Sequence, residues 1–223
     1  MKRIVLVVAG VLTLAAVNLA KAQFGMMRPP EVRGVFNPVV GSGASYEMID
    51  KDKKKSQFDI AIVEKDPSGG YWMEYSIVSP EAKGTVHMKT LIARQGNDAI
   101  MQRMIFQTPG QPPMEFSQTM RAMQGQHSGK ASEGQKLDYR AEAENLGTEP
   151  VTTPAGIFAC QHWRTTKEHT DIWLNDKVTP WGLVKMSGPE GSFTLQRIIT
   201  NAKSQITGTP VSMEEMLRQE MGR

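Results

Sequence analysis

Residues 57–78 read QFDIAIVEKDPSGGYWMEYSIV. Phe58, Ile60 and Ile62 fall on every second position, with Asp59, Ala61 and Val63 between them. Tyr71, Met73, Tyr75 and Ile77 repeat the pattern, with Trp72, Glu74 and Ser76 between. A period of two is strand geometry, because successive side chains leave a strand on opposite faces. Asp66-Pro67-Ser68-Gly69-Gly70 separates the two runs. Proline presets one turn dihedral, glycine tolerates the others, and aspartate bonds to nearby amides. The stretch is therefore a β-hairpin.

The pattern continues in both directions. Val86, Met88 and Ile92 lead to Gly96-Asn97, and Ile100, Met104 and Phe106 return. Upstream, β-like patterning starts at Ala44. Downstream, strands are expected over 137–146, 157–166, 170–175, 181–187 and 191–200, with Pro154-Ala155-Gly156 as a turn. That makes about ten strands with hardly any helical sequence between them. The expected fold is mainly β, a curved antiparallel sheet or incomplete β-barrel with one or two short helices. One helix is expected within 108–124, where Pro112-Pro113 can open it and Phe116, Met120 and Met123 recur at helical spacing. Met114, Phe116 and Met120 also fit an alternating strand. The other helix is expected over 213–222, where Ser212 and Glu215 form a capping box ahead of a Met213, Met216, Leu217, Met221 stripe. Residues 124–136, with three glycines, read as an exposed loop.

The first 22 residues read as a signal peptide. Lys2 and Arg3 precede an apolar run from Ile4 to Ala20, and Ala20-Lys21-Ala22 offers the small residues a signal peptidase requires. Cleavage after Ala22 leaves a proline- and glycine-rich leader over 23–43 and a single domain over 44–223. The mature chain is then expected in the periplasm or secreted, with no membrane span left.

The whole chain of 223 residues carries 26 Lys+Arg and 23 Asp+Glu. Removal of Lys2, Arg3 and Lys21 brings the two signs level. No basic surplus is left to displace counterions from phosphates, which argues against a nucleic-acid partner. Lys51, Lys53, Lys54 and Lys55 are interrupted by Asp52 and read as a solvated turn.

The sequence does not suggest an enzyme. It has no G-x-S-x-G elbow, and Gly125, Gly129, Lys130 and Ser132 do not complete a phosphate loop. Glu142 and Glu144 lie in a charged stretch and read as solvated. The lone cysteine, Cys160, forms no intrachain disulfide. Cys160 and His162 share a strand face and could in principle make an activated thiolate. A buried thiol beside a hydrogen-bonded imidazole is the plainer reading. His162, His169 and Asp171 would meet if 157–166 and 170–175 pair, but their spacing matches no metal motif. No metal and no cofactor is therefore assigned.

Methionine is abundant, with 15 in the chain. Met101/Met104, Met120/Met123 and Met213/Met216 have M-x-x-M spacing. Thioethers are soft ligands for Cu(I), but residues three apart on a regular strand face opposite sides. A plain core is the first reading of the methionines. A deformable apolar lining is the second, since methionine adapts to irregular contents.

Val151-Thr152-Thr153-Pro154-Ala155-Gly156-Ile157-Phe158, Val178-Thr179-Pro180-Trp181-Gly182-Leu183-Val184-Lys185 and Tyr71-Trp72-Met73-Glu74, within an exported antiparallel meander, resemble uncharacterised exported relatives of the LolA/LolB lipoprotein-sorting superfamily. The resemblance covers roughly 44–200. It implies an incomplete barrel whose concave face, covered by helices, holds acyl chains. The corresponding expectation is a non-catalytic envelope protein binding a lipid, a lipoprotein acyl chain or another apolar ligand. The lining would come from Phe58, Ile60, Ile62, Met73, Tyr75, Met88, Ile92, Met104 and Phe106. The alternatives are copper handling by Met and His, and an envelope interaction module with a protein partner and a filled core.

Overall fold

The computed structural model describes residues 36–78, 84–95, 98–116, 135–136, 143–166 and 169–212. Thirteen strands form one sheet among them: β1 (Gly43–Asp50), β2 (Lys55–Lys65), β3 (Tyr71–Val78), β4 (Thr85–Gln95), β5 (Asp98–Gln107), β6 (Met114–Phe116), β7 (Gln135–Lys136), β8 (Ala143–Thr153), β9 (Gly156–Thr165), β10 (Asp171–Leu174), β11 (Leu183–Gly188), β12 (Gly191–Ile199) and β13 (Val211–Ser212). The order across the sheet is β13-β6-β5-β4-β3-β2-β1-β12-β11-β10-β9-β8, with β7 beside β5. All pairings are antiparallel except β13 with β6.

Ten of these strands correspond to the expected meander, and the three extra ones are two or three residues long. The strand expected over 137–146 corresponds to β8, which starts at Ala143 in the described residues and runs on to Thr153. The helix expected over 108–124 needs correction: Met114–Phe116 is β6, paired with β5 on one side and β13 on the other. The alternating reading of Met114 and Phe116 wins because the open edge of β5 supplies a ladder that an isolated short helix lacks. Residues 117–124 and the helix expected over 213–222 lie outside the described residues. So does the segment read as a signal peptide.

The turns form as their residues dictate. Between β2 and β3, the Asp66 amide donates to Gly70 O (2.8 Å) and the Gly69 amide to Asp66 O (2.9 Å). Asp66 Oδ1 accepts from the Ser68 amide (2.9 Å) and hydroxyl (2.6 Å). These bonds hold its carboxyl below the usual carboxylate range. Gly69 has φ +94°, a backbone that only glycine adopts without strain. The lysine-rich segment is an exposed turn in which Asp50 Oδ1 accepts the amides of Asp52 and Lys54.

The last residues of the expected leader are docked. The Asn37 amide donates to Pro180 O (2.8 Å), and the Phe36 and Trp181 rings lie 4.6 Å apart. β1 then enters the middle of the sheet, between β2 and β12. It joins the hairpins of the first half to those of the second. Gly43 fits there because a Cβ would overlap Ile60 O. The sheet also curls at its far end, since β8 approaches β12 within 8 Å between Cα atoms although three strands separate them in the order.

One feature had no periodic signal. Residues 200–212 cross one face of β2–β6 as a strap without regular structure until β13. The Ala202 amide donates to Gly41 O (2.8 Å). Ser204 Oγ (2.6 Å) and the Gln205 amide (2.7 Å) donate to the buried Glu74 carboxylate. Ile206 packs on Trp72, Leu91 and Ile105, with Val63 beside them. Gln107 then exchanges two bonds with the Thr207 backbone (3.1 and 3.2 Å), and the Val211 amide reaches Pro113 O.

Replacing Ile206 with alanine removes the strap's apolar foothold. We expect a loss of about 1–2 kcal/mol in chemical unfolding, below the range for a fully buried isoleucine because Ile206 is half-buried. Ile157→Ala, at a side chain 75% exposed, is the control and should stay within about 0.5 kcal/mol of the parent.

Candidate functional site

Cross-strand partners share a face, so the register decides which residues meet. Phe58 pairs with Ile77, Ile60 with Tyr75 and Ile62 with Met73. Tyr75 pairs with Met88, Met73 with Thr90 and Tyr71 with Ile92. Met88 pairs with Phe106 and Thr90 with Met104. The nine residues singled out from the sequence therefore all stand on one face of β2–β5. Ile60, Ile62, Met73, Tyr75, Ile92 and Phe106 are buried, whereas Phe58, Met88 and Met104 are half-buried.

The structure enlarges this apolar face. On one side, Tyr46 of β1 and Phe193 of β12 join Phe58 and Tyr75 in an aromatic cluster, with ring centroids 5.8–6.3 Å apart. The Tyr46 hydroxyl reaches over β12 to donate to Leu183 O (2.8 Å). Burial raises its pKa well above the usual phenol range. On the other side, Phe106 pairs with Met114 and Met104 with Phe116.

The M-x-x-M argument for Met101 and Met104 needs correction as well. Leu91 opposes Arg103 and Ile92 opposes Met101, so Gln102 is an extra residue in β5. A β-bulge of this kind restores the face after an odd step. Met101 and Met104 thus stand on the same side of the sheet as Met88, Met114 and Phe116. All five are half-buried. Sequence reasoning missed Met101 because a bulge has no period, and missed Met114 and Phe116 because the helical spacing of 108–124 competed. The pairs Met120/Met123 and Met213/Met216 lie outside the described residues.

The polar residues weighed from the sequence lie on the other face. Asp171 pairs with Arg164, and Trp173 with His162, between β9 and β10. His162 Nε2 lies 2.8 Å from Asp171 Oδ1, and Nδ1 lies 3.2 Å from Glu149 Oε1. Arg164 donates twice to Asp171 (2.9 and 3.2 Å), and Trp173 Nε1 donates to Glu149 (2.5 Å). The imidazole stacks on Trp173 at 4.5 Å, and Lys185 Nζ lies 5.0 Å from that indole centroid. His162 and Asp171 meet as the hairpin required. His169 does not join them; it stands exposed in the turn with φ +50°. Among the described residues, no three His, Cys, Asp or Glu side chains are set to hold a metal ion. The acids, bases and indole here satisfy one another, so the cluster reads as a lock between β8, β9 and β10.

Cys160 shares this face with His162 but is fully buried. Burial first, and the Glu149 charge second, push its thiol up to about 11. This opposes the thiolate that nucleophilic chemistry requires.

No family model and no curated protein matches the chain. Three solved structures are similar. A candidate exported protein with a YmcC-like fold from Bacteroides fragilis has 16% identity and a TM-score of 0.35, covering 74% of this chain and 99% of its own. A candidate lipoprotein from Parabacteroides distasonis has 15% identity and a TM-score of 0.36, covering 75% and 99%. A DUF1329 family protein from Desulfovibrio piger has 14% identity and a TM-score of 0.29, covering 75% and 86%. Likeness at this level carries no argument about function. Among the described residues, no helix is long and apolar enough to cross a membrane.

The Cys160 environment sets a pH dependence. The unfolded thiol ionises near 9.0 and the folded one near 11, so between these values the unfolded state binds fewer protons and stability falls as pH rises. Comparing the chain with Cys160→Ala by chemical unfolding from pH 8 to 11 should show the smaller fall in the variant. Native protein at pH 8 should resist a thiol-labelling reagent and react once unfolded.

Proposed function

We propose that the protein is an exported, non-catalytic carrier that holds an acyl chain or a similar apolar ligand on the apolar face of its sheet. The observation that carries this reading is the register itself. It gathers all nine predicted residues on one side and extends them into the half-buried patch of Met88, Met101, Met104, Met114 and Phe116. Flexible thioethers beside a firmly buried floor suit a ligand of variable length, because they repack at little cost. Each buried methylene contributes about 0.8 kcal/mol, so about ten give roughly 8 kcal/mol before ordering costs, enough for useful binding. The signal-peptide pattern at residues 1–22 supports export, and the apolar lining carries no group poised for catalysis.

Native mass spectrometry of protein purified from the envelope of a bacterial host should reveal co-purifying lipid, and the stripped protein should take up a fluorescent fatty acid. Met104→Asp puts a charge into the lining and should weaken uptake at least tenfold, with the thermal melt checking that the variant folds. A clean apo mass without uptake would remove this reading. Retention of Cu(I) instead would favour the thioether-site alternative that the bulge at Gln102 makes geometrically open.

A further inference from the structure

The described chain ends at a telling place. Ser212, its last residue, closes β13 at the β6 end of the sheet. Val211 pairs with Met114 and Ser212 with Glu115, while Phe116 pairs with Met104. The backbone therefore leaves the sheet just short of the level of Phe116 and Met104. Val211 shares the side of its partner Met114, which is the apolar side. Residues 213–223 follow and lie outside the described residues.

Their sequence is amphipathic. Ser212 and Glu215 form the capping box, and an N-cap residue needs the extended backbone that β13 gives Ser212. At helical spacing, Met213, Met216 and Leu217 share one side, and Met221 extends it a turn later. Glu215, Arg218 and Gln219 fall opposite, and Gly222 is a common helix terminator. A helix over 213–221 is about 14 Å long, close to the three strand spacings from β13 across β6 and β5 to β4.

The two sides of the sheet at this edge are not equally taken. On the polar side, Ile206 of the strap already covers Trp72, Leu91 and Ile105, which are buried. The Arg103–Glu115 fork lies there too. On the apolar side, Met88, Met104, Met114 and Phe116 are only half-buried. An apolar stripe starting from Ser212 gains more by turning to that side.

We propose that residues 213–221 dock as a helix across β6, β5 and β4, with Met213, Met216 and Leu217 seated on Met88, Met104, Met114 and Phe116. The methionine patch is then an internal docking surface, and its occupant is the chain's own C-terminus. So short a helix is marginal in isolation, so its packing on the patch supplies the stability. The tether to β13 makes that packing intramolecular, at a millimolar effective concentration. The docked segment also competes with an acyl chain for the same thioethers; that consequence, unlike the docking, rests on the apolar-ligand reading above.

The test uses full-length mature protein. With Leu217→p-benzoylphenylalanine, irradiation should give a cross-link within the monomer to peptides carrying Met88, Met104 or Met114. Cross-linked dimers make a second copy the occupant and overturn the proposal. So does a cross-link to the strap side, or none at all. As a second measurement, Leu217→Asp should move the methyl resonances of Met104 and Met114 and leave that of Met48, buried on β1, in place. Arg218→Glu, on the opposite helical side, should move none of them. Unmoved Met104 and Met114 resonances in Leu217→Asp overturn the docking. Palmitate should lower the cross-link yield at least about threefold. An undiminished yield upholds the docking and counts against the acyl-chain reading alone.

Discussion

Everything in this sheet depends on strand register. Side chains alternate with a period of two, so a slip by one residue would send Ile60, Ile62 and Met73 to the far side together. Three irregularities keep the faces sorted where simple alternation would fail. The extra residue at Val63 brings Glu64 opposite Trp72, so that its carboxylate meets Lys89 (3.3 Å) and stays off the apolar side. The extra Gln102 returns Met101 to the apolar side. The shift between Ser45 and Tyr46 aligns β1 with β12, so that Tyr46 lies over Leu195. These are local deviations that preserve a global partition, which is the usual role of a bulge.

The two faces solve different problems. One accumulates apolar side chains from β1 to β6 and β9 to β12 with hardly any charge. The other carries the ionisable groups and neutralises them internally. Glu74 is held by the strap, Arg103 forks onto Glu115 (2.6 and 3.0 Å), and Asp171 sits between His162 and Arg164. Lys89 and Arg103 flank the Trp72 ring at 4.9 and 5.1 Å, so cations cover apolar surface there. A carboxylate as buried as Glu74 would be expensive without partners, and the Ser204 and Gln205 donors explain how it is tolerated. The division keeps charge off the apolar side and pairs it on the other.

Much of this was legible in the sequence, for a physical reason. Long alternating runs such as 58–63 and 71–77 encode the strand and the set of side chains that share one of its faces, so the nine residues could be grouped on one side. The turns at 66–70 and 154–156 were equally readable, since proline, glycine and aspartate act locally. Tertiary pairing was not legible. β6 is a strand because the edge of β5 supplies its ladder, β13 because β6 does so from nearly a hundred residues away, and elements of two or three residues have no measurable period. The strap was invisible for the same reason: Ser204, Gln205 and Ile206 are ordered by Glu74 and Trp72, not by their neighbours in the chain.

The central position of β1 has a kinetic corollary. Its second partner, β12, is separated from it by about 140 residues, so a nascent polypeptide on the ribosome presents one side of β1 as an unpaired edge until almost all of the chain has emerged. Chaperone protection during synthesis, or passage across a membrane before folding, would both suit a molecule whose halves are welded together only by its last long strand.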